Sequence, residues 1–196
     1  MSSREIRRRF IPIQEQLIEE AMKISEKTGI PYIVLIERIV GDVLRILRYK
    51  PSILDALVLA DALDDAKRLG GFVLPWEIAK KIIGEMSDSD FKELVKEAEK
   101  ACTWFGELSR VKRGSSPREL SMAISIWIPS STVDVIAEGS GVYKFVVSIM
   151  DSNQRVIELA EAVIKGLLKG YGLGVVYLEK GSHTISFRVS GFLEKE

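Results

Sequence analysis

The sequence predicts an α+β protein with a helical N-terminal part and a strand-rich C-terminal part. Three observations carry this expectation. Apolar residues recur at helical spacing up to about residue 109. From residue 119 onward the dominant period falls to two. Between them, Arg110 to Arg118 gathers Gly, Ser and Pro with charged residues, as a linker would. The expected organisation is residues 1–50 as a dimerisation unit, 51–110 as a helical middle and 119–196 as an α+β domain.

The elements follow in order. Arg7-Arg8-Arg9-Phe10-Ile11-Pro12-Ile13 reads as a short basic strand with alternating apolar residues. It leads into an amphipathic helix from about Gln14 to Lys27, in which Leu17, Ala21 and Ile24 share a stripe that Ile18 and Met22 widen. Gly29 is a left-handed stop, and Pro31 sets the first turn of a second helix. Ile33, Ile36, Val40, Val43 and Leu47 give that helix one apolar face, and Ile39, Leu44 and Ile46 much of another. A helix apolar over so much of its surface is covered from several sides, which in so short a unit implies a partner chain.

Pro51 ends that helix, and Ser52-Ile53-Leu54-Asp55 reads as a capping box for a third helix to about Arg68. Gly70-Gly71 closes it. Pro75 opens another helix through Ile83, and Ser87 to Asp90 offers N-caps for a long helix from about Phe91 to Ser109. Beyond the expected linker, Met122, Ile124, Ile126 and Ile128 alternate with Ser121, Ala123, Ser125 and Trp127. Val133 to Ala137, Tyr143 to Ile149, Val175 to Leu178 and Ile185 to Val189 are further strands, and one strong helix spans Ser152 to Lys169. The expected order is β-β-β-α-β-β, with the helix covering the apolar face of an antiparallel sheet.

Composition narrows the function classes. The chain of 196 residues is 46% hydrophobic and 29% charged, which is globular rather than disordered. No run of eighteen apolar residues suggests a membrane span, and the basic N-terminus lacks the apolar region of a secretory signal. The single Cys102 fits a reducing cytoplasm. One Asn and three Gln, beside abundant Lys, Glu, Ile and Val, suggest a thermophile. Net charge is zero, which argues against wholesale coating of nucleic acid. Residues 1–50 nevertheless hold ten Lys/Arg against seven Asp/Glu, whereas 51–118 hold eleven against twelve and 119–196 seven against nine.

Strand, helix, glycine turn and helix within residues 7–47, with arginines on the strand, resembles the ribbon-helix-helix family of DNA-binding dimers. The resemblance implies that two strands, one per protomer, pair antiparallel and lie in the major groove of duplex DNA. With Leu17 setting the frame, Ile11 and Ile13 would face inward and Arg8, Phe10 and Pro12 outward. Arg8 would then read a base edge, Arg7 and Arg9 would meet phosphates, and the start of the second helix, around Ile30 to Ile33 and including Tyr32, would direct free N–H groups at a phosphate. The chain departs from the family where Phe10 and Pro12 replace polar outward residues, and where Pro31-Tyr32 replaces the usual Ser or Thr.

Other chemistry is sparse. One His183 in a turn and one mid-helix Cys102 cannot build a zinc site of the usual kind, and no nucleophile–base pair is recognisable. Tyr171-Gly172-Leu173-Gly174 follows a helix and precedes a strand, the wrong order for a nucleotide loop. Asp61, Asp64 and Asp65 read as a solvated acidic face. Trp127, placed among small polar residues of a sheet, suggests a ligand pocket, a dimer contact or cover by the middle helices. The expected function is a homodimeric or larger cytoplasmic transcription regulator that binds double-stranded DNA, with a C-terminal domain for ligand sensing or oligomerisation. It needs no cofactor, metal or catalytic residue. The alternative is a non-catalytic dimeric structural or interaction protein that does not bind DNA.

Overall fold

The computed structural model describes residues 11–48, 53–71, 74–129, 131–151 and 153–192. The chain divides into two compact units, Met1–Ala56 and Leu57–Glu196.

In the first unit, α1 (Glu15–Thr28) and α2 (Tyr32–Leu47) form a helical hairpin. Gly29 ends α1 in the left-handed region at φ 70°, where its N–H reaches Ser25 O at 2.8 Å. Pro31, at φ −53°, is the N-cap of α2 rather than its first residue. Ile11 to Ile13 form no strand, and Arg7 to Phe10 lie outside the described residues. The expected ribbon is therefore not formed by the described part of its segment. A ribbon strand takes its hydrogen bonds from a second strand, and Ile11 to Ile13 pair with none among the described residues.

The second unit holds most of α3 (Ile53–Arg68), together with α4 (Trp76–Glu85), α5 (Asp88–Arg113), α6 (Pro117–Trp127), β1 (Ser131–Gly139), β2 (Val142–Ile149), α7 (Gln154–Tyr171), β3 (Gly174–Lys180) and β4 (Thr184–Ser190). The four strands make one antiparallel sheet in the order β1-β2-β4-β3. The sheet is thus the expected antiparallel one, but with two strands before α7 instead of three.

The difference lies at residues 122–128. Alternation of Met122, Ile124, Ile126 and Ile128 suggests a strand, yet these residues belong to α6 and its C-cap. Ser116 accepts a hydrogen bond from Glu119 N at 3.2 Å, Pro117 supplies the first turn, and Glu119 adds an acid to the helix N-terminus. The buried set Leu120, Ala123, Ile124 and Ile128 has helical spacing. Arg110 to Arg118 is accordingly not a linker: it is the last turn of α5, a tight Gly114–Ser115 turn and the capped start of α6.

The core forms where α7 covers the sheet. Tyr143, Phe145 and Val147 of β2 pair with Val189, Phe187 and Ile185 of β4, and all of these but the half-buried Tyr143 are buried. The Phe145 and Phe187 rings stack at 5.1 Å. Helix α7 buries residues around nearly its whole circumference, leaving Gln154, Lys165 and Lys169 exposed. Its other side meets α5 at unusually short range. A Cβ on Gly166 would overlap the Glu99 carbonyl, one on Gly170 would overlap that of Thr103, and one on Gly106 would lie 2.9 Å from Leu167 O. Only glycine permits that approach. Asn153 caps the start of α7 through Arg155 N at 2.9 Å, and Gly172, at φ 69°, ends it. Arg155 donates to the carbonyls of Ile83 and Met86 and to Asp88, tying the end of α4 to the start of α7.

Candidate functional site

The residues expected to touch DNA are distributed as follows. Arg7, Arg8, Arg9 and Phe10 lie outside the described residues. Ile30 is half-buried in the α1–α2 turn, and its N–H lies 3.5 Å from Thr28 Oγ1. Tyr32 is the exposed first residue of α2. No side chain caps the α2 N-terminus, so its first amides remain open to an acceptor from outside.

Helix α2 also carries the main apolar exposure of the first unit. Eleven of its sixteen residues are apolar or aromatic, yet none is buried. Ile33, Val34, Ile39, Val40, Leu44 and Ile46 are all exposed, and across both helices Ala21 alone is buried.

In the second unit, the α5–α6 turn, the β1–β2 turn and the residues after β4 line an open cleft of about 770 Å³. Arg113, Ser115, Arg118, Glu119, Tyr143 and Phe192 line it. The rings of Tyr143 and Phe192 meet edge to face at 5.3 Å, giving one apolar wall. The opposite wall is charged. Ser115 is buried, and its hydroxyl has no partner among the described residues.

Behind that wall, four side chains from α3 and α5 form an ion cluster. Arg113 Nη1 reaches Asp61 at 2.5 Å and Asp65 at 2.8 Å, and Lys112 Nζ reaches Asp65 at 2.8 Å and Asp61 at 3.3 Å. Arg113 Nη2 donates to Ser109 at 2.7 Å, and its Nε lies 3.3 Å from a Glu119 carboxylate oxygen, outside hydrogen-bond geometry. Burial works to raise the Asp65 carboxyl, but the hydrogen bonds and charges of Lys112 and Arg113 outweigh it and hold the group below its ordinary 3.8. Thus one of the aspartates expected to be a solvated face is inward: Asp65 is buried in this cluster, Asp61 joins it from the exposed side, and Asp64 pairs with Arg68 at 3.1 Å in the solvent. Sequence reasoning missed the cluster because its partners lie 47 to 52 residues apart. The one available signal was Asp61 and Asp65 spaced i, i+4 on an otherwise apolar stripe with Ala62 and Ala66.

The remaining candidates are structural. Trp127 ends α6 instead of standing on the sheet, and it meets Phe105 edge to face at 5.7 Å. Cys102 is fully buried, and burial pushes its thiol far up, which leaves it inert. Burial likewise pushes the Tyr171 hydroxyl up to about 12. His183 sits in the β3–β4 turn, where its carbonyl accepts from Ile149 N at 2.8 Å. No group of three or more metal-ligating side chains occurs among the described residues. No helix among them is long and apolar enough to cross a membrane.

No protein-family model matches the chain, and no curated protein matches it.

Proposed function

We propose that this chain is a homodimeric DNA-binding transcription regulator. The observation that carries the reading is α2, an apolar helix with no buried residue. Each exposed Ile, Val or Leu on it leaves about 1 kcal/mol of burial unrealised, so several together favour a second copy of the same face. Arg7, Arg8 and Arg9 concentrate positive charge just ahead of the hairpin, in a chain whose net charge is zero. That arrangement favours a local phosphate and base contact over general adhesion to DNA. The open amides of the α2 N-terminus, beside Ile30 and Tyr32, suit a second phosphate. The 770 Å³ cleft has the size of a small-molecule site and supplies a place for ligand sensing in the second unit.

The test joins light scattering to fluorescence anisotropy with a mixed-sequence duplex from about 50 to 200 mM salt. The expected result is a dimer whose DNA affinity falls steeply with salt. Arg8→Ala should weaken DNA binding about tenfold while leaving the dimer intact. A monomer at micromolar concentration, or binding indifferent to Arg7, Arg8 and Arg9, would sink the reading.

One observation favours a second reading, a dimeric interaction protein that does not bind DNA. Ile11 and Pro12 are exposed apolar residues next to the basic segment, and they suit a protein surface better than a groove of DNA. A dimer that ignores duplex at the lowest salt would select this reading.

A further inference from the structure

The outer surfaces of α5 and α7 form a second concavity, of about 370 Å³, far from the α5–α6 turn in sequence. It is lined by Lys96, Glu99, Lys100, Thr103, Trp104 and Lys169. Three cations therefore face one carboxylate. Lys96 and Lys169 have no ion-pair partner among the described residues. Lys100 reaches Glu97 only at 3.8 Å, between side chains that are both mostly in water, and such a pair is readily exchanged for another anion.

Trp104 is the second feature. It is 50% exposed, although its neighbour Phe105 is fully buried. The Lys100 ammonium lies 5.0 Å from the centre of its ring, which steadies the indole while much of its surface stays open. A large aromatic surface held beside lysines that have at most a loose ion pair among the described residues is neither core nor ordinary solvated surface. The platform is also rigid, because the glycine contacts between α5 and α7 fix the two walls of the groove against each other.

We propose that this groove binds a single-stranded segment of nucleic acid, with phosphates on Lys96, Lys100 and Lys169 and a base stacked on Trp104. Nucleic acid uses both features at once: its backbone answers the cations, and its bases have aromatic faces that a carboxylate-rich peptide lacks. The site goes beyond the duplex contact proposed for the N-terminal arginines and does not depend on it.

The test uses the full chain and a labelled oligothymidylate of about 12 nucleotides. Anisotropy reports affinity across salt, and tryptophan fluorescence reports stacking. The expected result is binding with quenched tryptophan emission. Lys96→Ala with Lys169→Ala should weaken binding about tenfold and reduce the slope of log affinity against log salt by about 1.4. Trp104→Ala should weaken binding about tenfold and remove most of the quenching. All three positions are on the surface, so circular dichroism and the thermal midpoint should not move. Replacing Arg7, Arg8 and Arg9 together by Ala should leave oligothymidylate binding unchanged while abolishing duplex binding, which separates this site from the other. Affinity unchanged by the lysine and tryptophan variants would overturn the inference. So would binding lost with the three arginines, no binding at about 50 mM salt, or equal binding of polyglutamate with the same dependence on Lys96 and Lys169.

Discussion

The two units solve the burial problem differently. In the second, Phe145, Phe187, Ile164 and Leu167 are sealed between the sheet and the helices. In the first, two helices of comparable apolar content bury only Ala21. The difference is geometric. A four-stranded sheet offers a broad face that α7 can cover, whereas two helices meet along one line and leave the rest of their apolar surface open. The second unit thus has the means to be stable alone, and the two helices of the first leave most of their apolar surface in water.

Truncations in the two units should therefore differ most. Phe187→Ala removes a fully buried ring stacked on Phe145 and should cost about 4 kcal/mol in urea unfolding, independent of protein concentration. A loss under about 1 kcal/mol would break the comparison.

Asp65→Asn should cost about 2 kcal/mol at neutral pH, less than a fully buried pair because Lys112 keeps contact with water. The folded carboxyl is held below its ordinary 3.8, so the unfolded chain binds the proton first. Its contribution is complete above the ordinary value and disappears as pH falls through the folded one. Unfolding curves of wild type and variant should converge as pH falls below the ordinary carboxyl value of 3.8. A gap that persists at low pH would mean that packing, not charge, holds α3 against α5.

Ser116→Ala removes the cap of α6 and should cost about 1 kcal/mol. The smallest effect belongs to the first unit. Leu44→Ala should change the stability of dilute monomer by less than about 0.5 kcal/mol, and by more as protein concentration rises if α2 is a dimer face. A large effect at high dilution would show that the hairpin has a core of its own.

Legibility in the sequence followed the same division. Strands β2 and β4 were plain because each is buried on one face only, which imprints a strict alternation. Helix α7 was plain from its length and from the glycine that ends it. Helix α6 was misread because isoleucines at 124, 126 and 128 alternate by chance, while Leu120 and Ala123 complete the helical set. The Ser116-Pro117-Arg118-Glu119 start was the more specific signal, since it names a backbone bond and not merely a surface pattern. The ion cluster and both concavities bring together residues from separate elements, and no local spacing encodes that. The expected DNA contacts at Arg7 to Phe10 lie outside the described residues.

The glycines shared by α5 and α7 also have a consequence for motion. Helices whose backbones touch cannot separate by small steps, because no flexible side chain lies between them to take up the gap. Opening must be all or none, so the amides of Cys102 to Gly106 and of Leu167 to Gly170 should exchange with deuterium together, and only through global unfolding of the second unit.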